Sequence, residues 1–183
     1  MNIIEIVAYV NNSSLSRIKE GQFSYSYTDL NFNVIKSSLG MFILDLSRHA
    51  IKEKEVNLPL YNFLVDSLKS LDLGKLNTRL VPIQFAIKLA GYLGFAISNN
   101  YSPENKYFDL HSGQFINNEV RNSQILNEKS SLHLHRILSD DLNINADKTE
   151  RNQLLDHLIT YYKLHVEGFS ELKSLPVLRT ILS

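Results

Sequence analysis

The spacing of apolar residues changes near residue 30, and that change divides the chain. Ile3 to Val10 is dense in β-branched residues, Asn11-Asn12-Ser13 carries a turn signal, and Leu15 to Tyr27 alternates loosely through Ile18, Phe23, Tyr25 and Tyr27. A period of two puts successive side chains on opposite faces of a strand, so this stretch predicts a β-hairpin. A lone hairpin buries too little apolar surface to persist in water, so this one needs a sheet, a helix or another chain against it.

From Asn33 the spacing becomes three and four. Ile35, Leu39, Phe42, Leu46, His49 and Ala50 fall on one helical face. Gly40 within that helix costs about 1 kcal/mol relative to alanine, which predicts a neighbour packed closely there. Leu60, Leu64, Ser67, Leu68 and Leu71 predict a second amphipathic helix, opened by Pro59 in its first turn and closed near Gly74. A third runs from about Thr78 to Tyr92 through Ile83, Ala86, Ile87 and Ala90, ended by Gly91 and Gly94. Consecutive helices of this kind predict a bundle.

After a loop over Asn99 to Pro103, Tyr107-Phe108-Asp109-Leu110 and Gln114-Phe115-Ile116 flank His111-Ser112-Gly113 in the pattern of a short hairpin. Asn117 to Ser131 reads as a polar loop leading into a helix at Leu132 to Ser139, and Asp140 to Asp147 as an acidic loop. Asp147 and Glu150 have the spacing of a reciprocal helix cap, and the helix behind them presents Leu154, Leu155, Leu158, Ile159 and Tyr162 until Gly168. Ser170 is placed to cap a last short helix whose regularity Pro176 restricts. The expected architecture is mainly α, a helical bundle with a small β-hairpin insertion, preceded by the N-terminal β-hairpin.

Composition narrows the function. With 44% hydrophobic residues in 183, the chain supports a sizeable core and is not disordered. Its 19 Lys plus Arg match 19 Asp plus Glu, so no overall field draws it to nucleic acid or membrane, and any DNA contact has to come from a local patch. The lack of cysteine excludes disulfides, a thiolate nucleophile and a Cys-based zinc site, and fits a reducing compartment. Met1-Asn2-Ile3-Ile4-Glu5 does not have the form of a signal peptide, and charges interrupt every apolar run before the roughly 20 residues that span a membrane. A cytoplasmic location is the expectation.

Candidate chemistry is sparse. His133 and His135 diverge if they lie on a helix and share a metal only from a strand. His157 and His165, eight apart, lack a third ligand at a useful spacing. Single scattered glycines, none before Lys-Ser or Lys-Thr, exclude a phosphate loop. Asp140-Asp141 has no calcium-loop spacing around it and reads as a solvated pair. No catalytic residue, metal ligand or cofactor is therefore expected. The basic residues are more informative: Lys69, Lys75, Arg79 and Lys88 are opposed between positions 69 and 88 only by Asp72, which reads as a solvated helix face or as a DNA track. Arg17 and Lys19, followed by Phe23, Tyr25 and Tyr27, combine cations with ring faces of the sort that hold single-stranded bases, and read equally as a strand with one wet side.

Taken in order, several stretches resemble the RecO family of DNA repair and recombination proteins, in its cysteine-lacking, Bacteroidetes-like form. Ile4-Glu5-Ile6-Val7-Ala8-Tyr9 with Leu15-Ser16-Arg17-Ile18-Lys19-Glu20 is similar to the last part of the family's N-terminal OB-fold. Phe32-Asn33-Val34-Ile35-Lys36-Ser37-Ser38 with Phe42 resembles the first helix of its helical domain, and Lys88-Leu89-Ala90-Gly91-Tyr92-Leu93-Gly94-Phe95 the end of its central helix. Tyr107-Phe108-Asp109-Leu110 with Gly113 and Phe115 corresponds to the hairpin where many members carry a four-cysteine zinc site, absent here. The most specific stretch is C-terminal: Glu150-Arg151-Asn152, Leu154-Leu155, Tyr161-Tyr162, Leu164-His165, Gly168-Phe169 and Glu171-Leu172-Lys173-Ser174-Leu175 with Val177-Leu178.

The resemblance implies two parts, residues 1–29 as an OB-fold remnant and 30–183 as the helical domain, with the earlier barrel strands missing. It implies a mediator that binds single- and double-stranded DNA, anneals strands, associates with RecR and helps load RecA recombinase. It also implies binding of the acidic, phenylalanine-ended tail of single-stranded-DNA-binding protein. Arg17 and Lys19 are the candidate DNA contacts, while Arg48, Lys52, Arg79 and Lys88 are candidate cations for the tail, chosen by helical position. The rival readings are a helical protein-interaction module without DNA binding and, more distantly, a histidine metal enzyme.

Overall fold

A computed structural model describes residues 1–11, 15–52, 55–117, 124–141 and 144–182. Strands β1 (Asn2–Tyr9) and β2 (Arg17–Ser26) pair antiparallel, from Asn2 opposite Ser26 to Tyr9 opposite Arg17, with register shifts after Ile3 and Val7. Of the turn expected between them, Asn12 and Ser13 lie outside the described residues. Helices α1 (Val34–Ala50), α2 (Leu58–Asp72) and α3 (Val81–Tyr92) follow, then the short strands β3 (Tyr107–Asp109) and β4 (Gln114–Ile116). Helices α4 (Glu128–Leu138), α5 (Lys148–His165) and α6 (Ser174–Ile181) complete the chain. The fold is mainly helical with two small antiparallel hairpins, as the periodicity predicts, and no helix among the described residues is long and apolar enough to cross a membrane.

Local chemistry accounts for most helix ends. Asn33 caps α1 by accepting from the amides of Ile35 and Lys36, and Asn57 caps α2 through Leu60. The reciprocal cap at α5 forms as the spacing requires, each of Asp147 and Glu150 accepting the other's amide at 2.9 Å. Three ends differ from expectation. Helix α3 starts at Val81, three residues after Thr78, because residues 77–80 form a separate turn ahead of Pro82. Helix α4 starts at Glu128, four residues before Leu132, because Asn127 accepts from the Ser130 amide at 2.8 Å and so opens a helix that its apolar pattern alone does not mark. Residues 118–123 of the expected polar loop and 142–143 of the acidic loop lie outside the described residues. Ser170 does not cap α6; that helix begins after Lys173, and Asp45 of α1 accepts from both the amide (2.9 Å) and the hydroxyl (2.8 Å) of Ser174. Pro176 thereby falls in the first turn, where it removes no helical hydrogen bond.

The core centres on α1, whose Leu39, Phe42, Ile43 and Leu46 are fully buried between α2, α3 and α6. Helix α5 closes the other side against α3 and α4, and its Tyr162 hydroxyl donates to the Ala86 carbonyl at 2.8 Å. The root of the N-terminal hairpin joins this core: an added Cβ at Gly40 would lie 2.8 Å from the Met1 methyl and 3.2 Å from Leu30, which is the close neighbour the glycine predicts. The distal hairpin is bare, with Ile4, Val7, Tyr9, Ile18 and Phe23 all exposed.

Asp72, 3% exposed at the end of α2, ties the two regions together. Its carboxylate accepts from the Leu30 amide (2.7 Å), the Asp29 amide (2.8 Å) and the amide and hydroxyl of Thr28 (both 3.2 Å). Burial alone would raise its pKa, but these donors outweigh burial and hold it below the usual carboxylate value. Replacing Asp72 with alanine leaves the donors of Thr28–Leu30 without their acceptor and is expected to cost about 2–3 kcal/mol in urea unfolding. Gly113, at φ +69° in the β3–β4 turn, faces the Tyr161 hydroxyl 2.7 Å from where a Cβ would stand. Gly113→Ala adds a clash to an unfavourable backbone and is expected to lower stability by about 1–3 kcal/mol on the same assay.

Candidate functional site

Helices α2 and α3 turn part of their surfaces into an open groove of about 800 Å³. Along α2, Pro59, Asn62, Phe63, Asp66, Ser67 and Ser70 recur at helical spacing on the groove side, while Leu60, Leu68 and Leu71 face the core. Helix α3 contributes Gln84, Phe85, Lys88 and Tyr92 in the same manner, and the space beside Gly91 is open, since an added Cβ would meet nothing within 4 Å. Phe63 stacks between two rings, 5.3 Å from Phe85 and 4.6 Å from Tyr92, with interplanar angles of 10° and 21°. The wall is thus rigid and aromatic, with one cation, Lys88, and one carboxylate, Asp66, at its lip. Such a surface holds an apolar or aromatic side chain by area and stacking and offers an ammonium to an anionic neighbour. It contains no nucleophile and base in contact, and no group of three metal-ligating side chains occurs among the described residues.

The residues singled out from sequence are dispersed. Lys88 lies in the groove, and Arg79 lines a separate small cleft against α5 and α6. Arg48 is exposed in the last turn of α1 and Lys52 just beyond its end, and neither lines the groove. Arg17 and Lys19 are exposed on β2. Of the aromatics that follow them, Phe23 is open at 70% exposure, Tyr25 is half-buried and Tyr27 is part of the core. Lys69 sits 4.8 Å over the Tyr25 ring, fastening the hairpin to α2. Phe63, Phe85, Gln84 and Tyr92 are not among the residues singled out from sequence; the available signal was Phe63 and Tyr92 lying off the core faces of their helices, whereas Phe85 is itself buried and carries none.

His135 and His165 pack against aromatic rings. His135 stacks on Tyr101 at 4.4 Å with Nδ1 2.8 Å from the Asn99 side-chain oxygen. His165 stacks on Phe95 at 5.5 Å with Nε2 3.0 Å from the Leu110 carbonyl. Burial lowers the pKa of His133, against an opposing pull from Glu150, and burial lowers that of His157 against Asp156.

The fold and its groove define a class: a helical domain with an open aromatic groove and a β-hairpin arm. Residues 32–176 match the family described as Recombination protein O C terminal. The DNA repair protein RecO of Flavobacterium psychrophilum is 33% identical over 190 residues, which cover 100% of this chain and 77% of that protein. The RecO of Christiangramia forsetii is 33% identical over 186 residues, covering 97% and 75% respectively. The RecO of Azobacteroides pseudotrichonymphae is 26% identical over 186 residues, covering 99% and 77%. No solved structure matches the chain. The chain belongs to the RecO family of DNA repair proteins.

Because His133 and His157 titrate below their unfolded value, the unfolded chain takes up protons first as pH falls below about 6.5. Stability is therefore expected to be full near neutral pH and to decline on acidification toward the lowered folded values. Urea midpoints measured across that range should show the decline, and His133→Asn with His157→Gln should flatten it.

Proposed function

We propose that this chain acts as a recombination mediator without a catalytic site, working by docking. The groove between α2 and α3 receives the acidic, phenylalanine-ended tail of single-stranded-DNA-binding protein, and the hairpin contacts DNA. The observation that carries this reading is the stacked wall of Phe63, Phe85 and Tyr92 with Lys88 at its lip. A terminal phenylalanine fits the open space beside Gly91, and the Lys88 ammonium pairs with the terminal carboxylate. Of the four cations considered for the tail, position supports Lys88 directly; Arg48, Lys52 and Arg79 stand outside this groove.

Arg17 and Lys19 on β2, with Phe23 open beside them, are the DNA contacts of residues 1–29, and residues 30–183 form the docking domain. Family membership supports partnership with RecR, assistance to RecA loading and work in the cytoplasm on single- and double-stranded DNA. A helical adaptor without DNA binding is the second reading, favoured by formal neutrality and by Tyr25 and Tyr27 being turned into the bundle.

The test is an anisotropy titration with a fluorescent peptide ending in acidic residues and a free C-terminal phenylalanine, beside its amidated counterpart. The free acid is expected to bind, amidation to weaken it, and Lys88→Ala to cost roughly tenfold, the range of one charge-assisted hydrogen bond. Asp66→Asn removes a like charge from the lip and is expected to tighten binding. Failure of both peptides to bind would overturn the groove assignment. Arg17→Ala with Lys19→Ala is expected to weaken DNA binding and reduce the slope of log affinity against log salt by about 1–2, whereas a plain adaptor shows no such salt dependence.

A further inference from the structure

A second cleft lies where α3, α5 and α6 meet. It is small, about 20 Å³, and four cations line it, Arg79, Lys148, Arg151 and Arg179, with no carboxylate among its lining residues. Three separate parts of the chain supply them, so tertiary packing concentrates positive charge at one point of a molecule whose formal net charge is zero.

Two of these cations have no internal partner and two are only partly engaged. Among the described residues, the side chains of Arg79 and Lys148 have neither an ion pair nor a hydrogen bond, and both residues are exposed. Arg151 donates one amino group to the Ala146 carbonyl at 2.7 Å. Arg179 pairs one amino group with Asp156, while its Nε is buried without an acceptor. Their placement also runs against helix polarity. Lys148 and Arg151 stand in the first turn of α5, where aligned peptide dipoles already present positive charge and cations are disfavoured. Arg79 lies one residue before Leu80, the cap position of α3, which makes no side-chain cap hydrogen bond. Asp147 and Glu150 offset part of that charge at the start of α5, but Arg79 and Lys148 keep no side-chain partner among the described residues and line a cleft with no carboxylate, which marks a candidate functional position.

We propose that this cleft holds a backbone phosphate of a nucleic acid, with Arg79 and Lys148 as the contacting cations and Arg151 and Arg179 behind them. The proposal rests on the DNA-binding reading above and adds a contact on the helical domain, apart from Arg17 and Lys19. The four lining cations point to an anion, and the cleft is large enough for one oxygen of a phosphate seated at its mouth and too small for a phenyl ring. Ile83, Leu155 and Leu178 along the cleft limit solvent and strengthen the attraction.

The test is an amide NMR titration of the full chain with inorganic phosphate and, separately, with an oligothymidylate of about ten nucleotides, long enough for one single-strand binding surface. Amides of Val81, Ile83 and Lys148 to Asn152 are expected to shift saturably with both. Arg79→Gln with Lys148→Gln should abolish those shifts, weaken the oligonucleotide about tenfold, lower the salt slope by about 1–2, and leave the groove peptide's affinity unchanged. No saturable shift with either ligand overturns the site. A response to phosphate alone, or to the acidic peptide in place of the oligonucleotide, overturns the nucleic-acid assignment. If the unaltered chain binds the oligonucleotide and only Arg17→Gln with Lys19→Gln abolishes it, this inference falls and the hairpin reading stands. If the unaltered chain binds no oligonucleotide at all, the DNA reading itself fails.

Discussion

The buried carboxylate of Asp72 is the constraint from which the rest of the arrangement follows. A carboxylate at the C-terminal end of a helix meets the negative end of the dipole, and burial adds a desolvation cost. It stays ionised because four donors from Thr28, Asp29 and Leu30 converge on it, with Lys36 donating to the Asp72 carbonyl at 2.7 Å and pairing with Asp29 at 2.6 Å. This fixes where the chain leaves the hairpin and enters α1, and it does so from the same helix that forms one wall of the groove. The hairpin arm and the groove are therefore positioned by the same helix, with Lys69 over Tyr25 as a second fastening of the arm.

The hairpin is a structure of two halves. Met1, Ile3, Tyr25 and Tyr27 pack on the bundle, whereas Ile4, Val7, Tyr9, Ile18 and Phe23 remain in solvent. The ribbon therefore presents apolar side chains and unpaired edges to solvent along its outer half. The other hairpin shows the opposite economy. It carries no cysteine, and rings fix it in place: Phe108 lies 5.1 Å from Phe115 and 6.2 Å from Tyr161, and the Phe108 amide donates to Ser131 of α4. Close-packed aromatics, with Tyr101 and His135 against Phe115, give that turn its rigidity.

Two surfaces of different character emerge on the helical domain. The groove is wide, aromatic and nearly balanced in charge; the α3–α5–α6 cleft is narrow, and the charged residues that line it are all cations. Dispersion and apolar area govern the first and Coulomb attraction the second, so ionic strength separates them: salt screens the cleft far more than the groove. Neither is lined by a nucleophile in contact with a base.

By itself the sequence determined the class of fold, because periodicities of two and of three to four are local consequences of strand and helix geometry. It likewise determined caps closed within four residues, such as Asp147 with Glu150, and the close approach at Gly40, and the ordered resemblance of its segments carried the family. Only the tertiary structure decided what depends on distant residues meeting. Ser174 is capped by Asp45 across 129 positions, a partner no local window contains. Tyr27 reads as a ring for bases and is core, because its fate depends on α2 rather than on its own strand. Arg48, Lys52, Arg79 and Lys88 share a sequence character yet face different surroundings, since charge spacing along a helix fixes a direction about that helix and not the neighbour found there. The stacking of Phe63 with Phe85 and Tyr92, and the gathering of Arg79 with Lys148, Arg151 and Arg179, arise from how separate elements are set against one another, which is a property of packing that no single segment encodes.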